Sequence, residues 1–93
     1  MHTPANITEL YARAQHAMAN LKTTVHALLC SEPEGMTNAE IGRTLGIYQG
    51  HIGHEGHVPR TLLAIMEEEG VVEQDKESKK WRCRHTIDGQ DSQ

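Results

Sequence analysis

From Ile7 to Leu29 the apolar positions fall at Ile7, Leu10, Tyr11, Ala14, Ala17, Met18, Leu21, Val25, Leu28 and Leu29, mostly three or four apart, which is the spacing of one helical face. Asn6 stands where an N-cap belongs, and the pattern predicts one helix of about 25 residues running to Cys30. Ser31 to Gly35, SEPEG, reads as a turn because Pro33 and Gly35 cannot continue the helix. Thr37 followed three residues later by Glu40 is a capping box, so a second helix is predicted from Asn38. Ile41 and Leu45 share its face, and Gly46 marks its left-handed end.

A third helix is predicted to begin near Val58, with Pro59 in its first turn. Leu62, Leu63, Ile65 and Met66 form its apolar face and Gly70 stops it. Glu67, Glu68 and Glu69 fall in the last turn, where the helix dipole disfavours acids, so they are expected to be solvated. Val71 to Gln74 then reads as a strand, Asp75 to Ser78 as a polar turn, and Lys79 to Arg84 as the returning strand. Alternation puts Trp81 and Cys83 on one face and Lys80, Arg82 and Arg84 on the other. Met36 is expected to pair with this hairpin as a short strand, and Met18, Met66 and Trp81 are read as core. Residues 1–5 and 86–93 carry no apolar pattern and are expected to be a loose N-terminus and a disordered tail.

Between the second and third helices, residues 50 to 58 repeat as GHI GHE GHV, setting His51, His54 and His57 at three-residue intervals. Glycines cost about 1 kcal/mol each inside a helix, so the segment is expected to be an extended turn or a loose 3₁₀ stretch. Three roles suit these residue types. Imidazoles, with Tyr48, Gln49 and Arg60, offer donors and acceptors to phosphates and base edges. His51, His54 and His57 with Glu55 offer nitrogen and oxygen ligands to a metal ion, a weak zinc pattern without a cysteine nearby. Alternatively, the histidines cap the third helix or bond to the core.

At 93 residues the chain is long enough for one domain and one core. Its aromatic residues are Tyr11, Tyr48 and Trp81, with no Phe, so Leu, Ile, Val, Met and Ala must fill the interior. Cys30 and Cys83 form no C-x-x-C pair, and no signal peptide or long apolar run precedes them. A reduced, cytoplasmic chain without a membrane segment is the simplest expectation, with a Cys30–Cys83 disulfide as the alternative. The formal net charge is −4, which disfavours nonspecific nucleic-acid binding. The charge is unevenly distributed, however. Residues 71 to 85 carry Lys76, Lys79, Lys80, Arg82 and Arg84 against Glu73, Asp75 and Glu77, whereas residues 37 to 70 carry Arg43 and Arg60 against five glutamates. There is no nucleophile with a paired base, no phosphate-binding glycine motif and no implied cofactor, which argues against an enzyme.

The run AEIGRTLGI, then PRTLLAIMEEEGVVEQD and a hairpin ending KKWRCR, resembles a winged helix-turn-helix domain of the bacterial transcription-regulator type over roughly residues 21 to 85. Gly42 stands where that family usually has alanine, and the connection from Leu45 to Pro59 is several residues longer than usual. The resemblance implies a mainly α fold with a small β-hairpin, an extended first helix and a single domain spanning 6–85. It also implies double-stranded DNA as partner. His57, Arg60 and Thr61 on the reading helix would lie near bases, Arg43 near the DNA backbone, and Lys79, Lys80 and Arg82 on phosphates. The first helix, about 37 Å long at 1.5 Å per residue, exceeds what such a domain covers. Residues 6–20 are therefore expected to pair in a homodimer, in which small alanines permit close approach. The other possibility is a break near Asn20 that folds this half back. A competing function is a winged protein-interaction module without DNA binding, since the net charge is negative and Glu67 to Glu69 would repel DNA.

Overall fold

The computed structural model describes residues 6–48 and 56–84. The protein is mainly helical, with a small two-stranded antiparallel hairpin. In chain order it has α1 (Ile7–Cys30), α2 (Asn38–Leu45), α3 (His57–Glu68), β1 (Val72–Gln74) and β2 (Trp81–Cys83). The predicted loose N-terminus and disordered tail lie outside the described residues, as do Gln49, His51 and His54.

Each helix boundary has a chemical cause. The Asn6 side chain accepts from the backbone N–H groups of Thr8 and Glu9, which starts α1. α1 then runs unbroken through Asn20, so the fold-back alternative does not occur. Thr37 and Glu40 form the predicted capping box: Thr37 N donates to Glu40 Oε1 at 2.8 Å, and Glu40 N to Thr37 Oγ1 at 3.2 Å. Gly46 closes α2 in the left-handed conformation, also as predicted. α3 begins one residue earlier than expected. His57 and Val58 are helical, not part of a turn, which makes Pro59 the third helical residue. Its missing N–H still falls among the first four, which have no intrahelical acceptor.

In the hairpin, Val72 pairs with Cys83, Glu73 with Arg82 and Gln74 with Trp81. The strands are shorter than predicted because Lys79 adopts φ 66 and belongs to the turn. Asp75 organises that turn: its carboxylate accepts from Ser78 N at 2.7 Å and its carbonyl from Lys79 N at 2.8 Å. Met36 forms the expected antiparallel bridge with Trp81.

The core comprises Val25, Leu29, Ile41, Leu62, Leu63, Met66, Val72 and Trp81, with Leu21, Leu28, Met36, Leu45, Val71 and Cys83 packed around it. Every core contribution of α1 comes from its C-terminal half. Met18, expected in the core, is 40% exposed: it lies one turn before Leu21, the first α1 residue that packs against the core. Glu67 and Glu68 are solvated as expected. Glu69, also exposed, makes an ion pair with Lys22 of α1 at 2.7 Å, a contact worth at most about 1 kcal/mol at the surface.

Leu63 is fully buried and Val58, on the same helix, is 47% exposed. Leu63→Ala is therefore expected to lower unfolding stability by about 2–5 kcal/mol, and Val58→Ala by less than about 0.5 kcal/mol, as measured by chemical denaturation. Acid should act through the caps and turns. The backbone N–H of Thr37 holds the Glu40 carboxyl below its ordinary value, and that of Ser78 does the same for Asp75. Such groups stabilise the fold above the ordinary carboxylate values and lose that contribution as pH falls through the lowered ones. Glu40→Gln combined with Asp75→Asn should flatten the acid limb of stability against pH below about 4.5. An unchanged limb would assign the acid sensitivity elsewhere.

Candidate nucleic-acid interface

The outward face of α3 carries three of the predicted contact residues. Pro59, Leu62, Leu63 and Met66 are buried, so His57, Arg60 and Thr61, spaced three and four apart, share the exposed side of the first turns. Glu67 and Glu68 lie at the far end of the same helix. The acid run is thus separated from the positions predicted to read bases.

The approach from α2 to α3 is governed by Tyr48. Gly42 is buried, and a Cβ placed on it would lie 2.6 Å from Tyr48 Cβ, 2.8 Å from Tyr48 Cδ1 and 3.1 Å from Pro59 Cγ. The departure from the alanine of the resembled family is therefore compensated here by a tyrosine filling the space. The same ring reaches Gly56, the N-cap of α3, which has φ 82. A side chain there would meet Tyr48 Cε1 and Asn38 Nδ2, each at 2.7 Å, and Asn38 Nδ2 donates to the Gly56 carbonyl at 3.3 Å. With no side-chain cap on α3, the left-handed glycine and this bond set where the helix begins. Arg43 lies over the Tyr48 ring, 4.7 Å from its centre, a contact worth about 0.5–1 kcal/mol at an exposed site. Tyr48, predicted as a DNA contact, is thus half-buried, and its ring packs within the α2–α3 junction.

The hairpin cations are less available than their number implies. Arg82 stands directly across from Glu73 in the ladder and shares a shallow surface with Glu73, Gln74 and Asp75. Lys80 lines a wider depression of about 700 Å³ together with Arg43, Glu32, Glu34 and Glu40. Among the described residues, the predicted DNA contacts that line this depression are Arg43 and Lys80. Lys79 is exposed where the turn returns to β2.

The sequence pattern directed attention to the histidine repeat as a ligand source, and its first two histidines lie outside the described residues. Among the described residues, the His, Cys and acidic side chains that do come together as a potential ligand set are His26, Cys30 and Cys83. Cys83 is pushed up to about 11 by burial, helped by its hydrogen bond with Cys30. The His26-x-x-x-Cys30 spacing on a helix was the available signal for two of the three. The chain matches no family model, and no curated protein or solved structure was found to be similar to it.

The Tyr48 contact makes a signed prediction. Gly42→Ala should gain about 1 kcal/mol of helix propensity but overpack against Tyr48 at a cost of about 1–3 kcal/mol, for a net loss in the native background. In a Tyr48→Ala background the same substitution should be neutral or stabilising. Equal effects in the two backgrounds, measured by a double-mutant cycle, would remove Tyr48 as the reason for glycine at this position.

Proposed function

We propose that this protein is a dimeric winged helix-turn-helix protein that binds double-stranded DNA, a small cytoplasmic transcription regulator of the bacterial type. The observation that carries the reading is the outward face of α3: an apolar side locked into the core leaves His57, Arg60 and Thr61 exposed at the helix N-terminal end, behind a packed α2 and ahead of a hairpin with a basic turn. In this reading α3 enters the major groove and Lys79, Lys80 and Arg82 contact phosphates. Arg43 joins Lys80 from the depression they share.

The dimer follows from α1. Ile7 is 77% exposed, Tyr11 66%, and Leu10 and Met18 about 40% each, an apolar stripe that the other described residues leave uncovered. A second copy of the same helix would bury it across a two-fold axis and present two reading helices to a pseudo-palindromic site. No helix among the described residues is long and apolar enough to cross a membrane.

A second reading, a winged protein-interaction module, draws on the acids that flank the wing: Glu73 and Asp75 beside Arg82, and Glu40 beside Lys80. Titration of random-sequence duplex DNA at two salt concentrations separates the two. The comparison should use Lys79→Gly/Lys80→Ala/Arg82→Ala, in which glycine suits the left-handed turn position, with sedimentation of each sample to establish its oligomeric state. DNA binding that weakens steeply with salt, with a slope in log units smaller by about 2–3 in the variant, is the expected result. A folded dimer that binds no duplex at low salt would move the assignment to the protein-interaction module.

A further inference from the structure

We propose that His26, Cys30 and Cys83 form a binding site for a single thiophilic metal ion of the zinc class, held between α1 and β2. The site lies away from the exposed face of α3 and does not depend on the DNA-binding reading.

The donors converge from two elements far apart in the chain. His26 and Cys30 stand four residues apart on α1 and therefore share a helix face. Cys30 Sγ lies 3.7 Å from both Nδ1 and Nε2 of His26, so either ring nitrogen can be brought to the ion by rotation of the imidazole. Cys83 comes from β2, on the strand face that packs toward α1 beside the core. One ligand atom from each of the three side chains lies within 4.8 Å of the other two.

These separations suit a tetrahedral ion. Zinc bonds of about 2.3 Å to sulfur and 2.0–2.1 Å to nitrogen place neighbouring ligand atoms about 3.6–3.8 Å apart. The His26–Cys30 pair already meets that spacing, and Cys83 needs a shift of about 1 Å at most to join it. Two thiolates and one imidazole are a soft donor set that selects zinc or monovalent copper over magnesium or calcium. Together the two thiolates neutralise a divalent ion.

Access is provided as well. Cys30 is exposed, while His26 and Cys83 are half-buried, so the ion would sit at the rim of the core with its fourth position toward solvent. Cys30 and Cys83 line an open depression of about 510 Å³ with Glu32, Glu73, Arg82 and Arg84. Neither cysteine is in a disulfide, which leaves both sulfurs able to coordinate. Because α1 and β2 are otherwise joined by packing and not by strand pairing, an ion here would clamp the hairpin to the long helix and stabilise the folded chain by mass action.

The test is titration of the reduced, full-length chain with cobalt(II) as a spectroscopic stand-in for zinc. The expected result is a saturating one-equivalent signal with thiolate-to-cobalt charge-transfer absorption and the visible bands of a tetrahedral ion, displaced by one equivalent of zinc, together with a zinc-dependent rise in the thermal midpoint. Cys30→Ser and His26→Ala should each weaken binding by at least about tenfold, the low end of what even outer-shell changes cost, and should abolish the zinc-dependent rise. His57→Ala should change neither. Cys83→Ser completes the set, and because Cys30 is exposed, Cys30→Ser keeps the test valid if the Cys83 variant does not fold. Cobalt binding without a charge-transfer band, or binding lost in His57→Ala but kept in Cys30→Ser, would place the ion on the other histidines and overturn the proposal. So would no binding by the reduced chain, or one in which the two cysteines only form a disulfide under oxidant. Each of these outcomes leaves the DNA titration unaffected, so failure of one reading is distinguishable from failure of the other.

Discussion

The fold depends on how Trp81 is held. Its backbone N–H donates to the Met36 carbonyl at 2.7 Å and its carbonyl accepts from Met36 N at 3.0 Å, while its other edge faces Gln74 in the hairpin ladder. The residue is 7% exposed, and in a chain without phenylalanine it is the only large aromatic side chain in the core. One residue thereby joins the turn after α1, the hairpin and the core beneath them. β2 becomes the middle of three paired segments, and the short strands gain a stability that an isolated two-stranded hairpin lacks.

That arrangement divides α1 into two functional halves. The C-terminal half supplies Val25 and Leu29 to the core and faces β2, with His26 and Cys30 on the neighbouring part of its surface. The N-terminal half is exposed throughout residues 7–20. Once nucleated, a helix gains a hydrogen bond for each residue added, so this half is ordered by the N-cap at Asn6 and by propagation from the packed end. Ile7, Leu10, Tyr11 and Met18 form an exposed apolar stripe along it.

The electrostatics are local. A chain of net charge −4 cannot attract a polyanion through its overall field, so any such contact depends on where individual cations stand. Arg82 is placed opposite Glu73 and Arg43 over Tyr48, while Lys79 is exposed where the turn returns to β2. The charged residues of the hairpin therefore differ in availability although they are neighbours in sequence. The left-handed conformation of Lys79 indicates that the turn geometry takes precedence over the backbone preference of a lysine, at a cost of about 1–2 kcal/mol.

Much of the secondary structure was legible because its causes are local. The Asn6 cap, the Thr37/Glu40 box, the Gly46 end of α2 and the alternation around Trp81 each depend on residues within a turn or a strand of one another, and each appears where the residue types place it. The start of α3 was misplaced by one residue because its N-cap is a glycine held by Asn38 and Tyr48, contacts made across the α2–α3 junction. Periodicity put Met18 in the core since it matches the stripe of α1, but how far a stripe is covered depends on where the other elements end. The candidate interface was readable as a set of residue types, not as a set of neighbours: the acids that flank Arg82 and Lys80 emerge only from strand register and packing. The sequence by itself determined the element order, the helix ends set by side-chain caps and the concentration of cations in the hairpin, all short-range properties of the chain. Only the tertiary structure decided which half of α1 is buried, why Gly42 must be glycine, and that Cys83 meets Cys30 and His26, because these depend on contacts between segments whose separation along the chain carries no local signal.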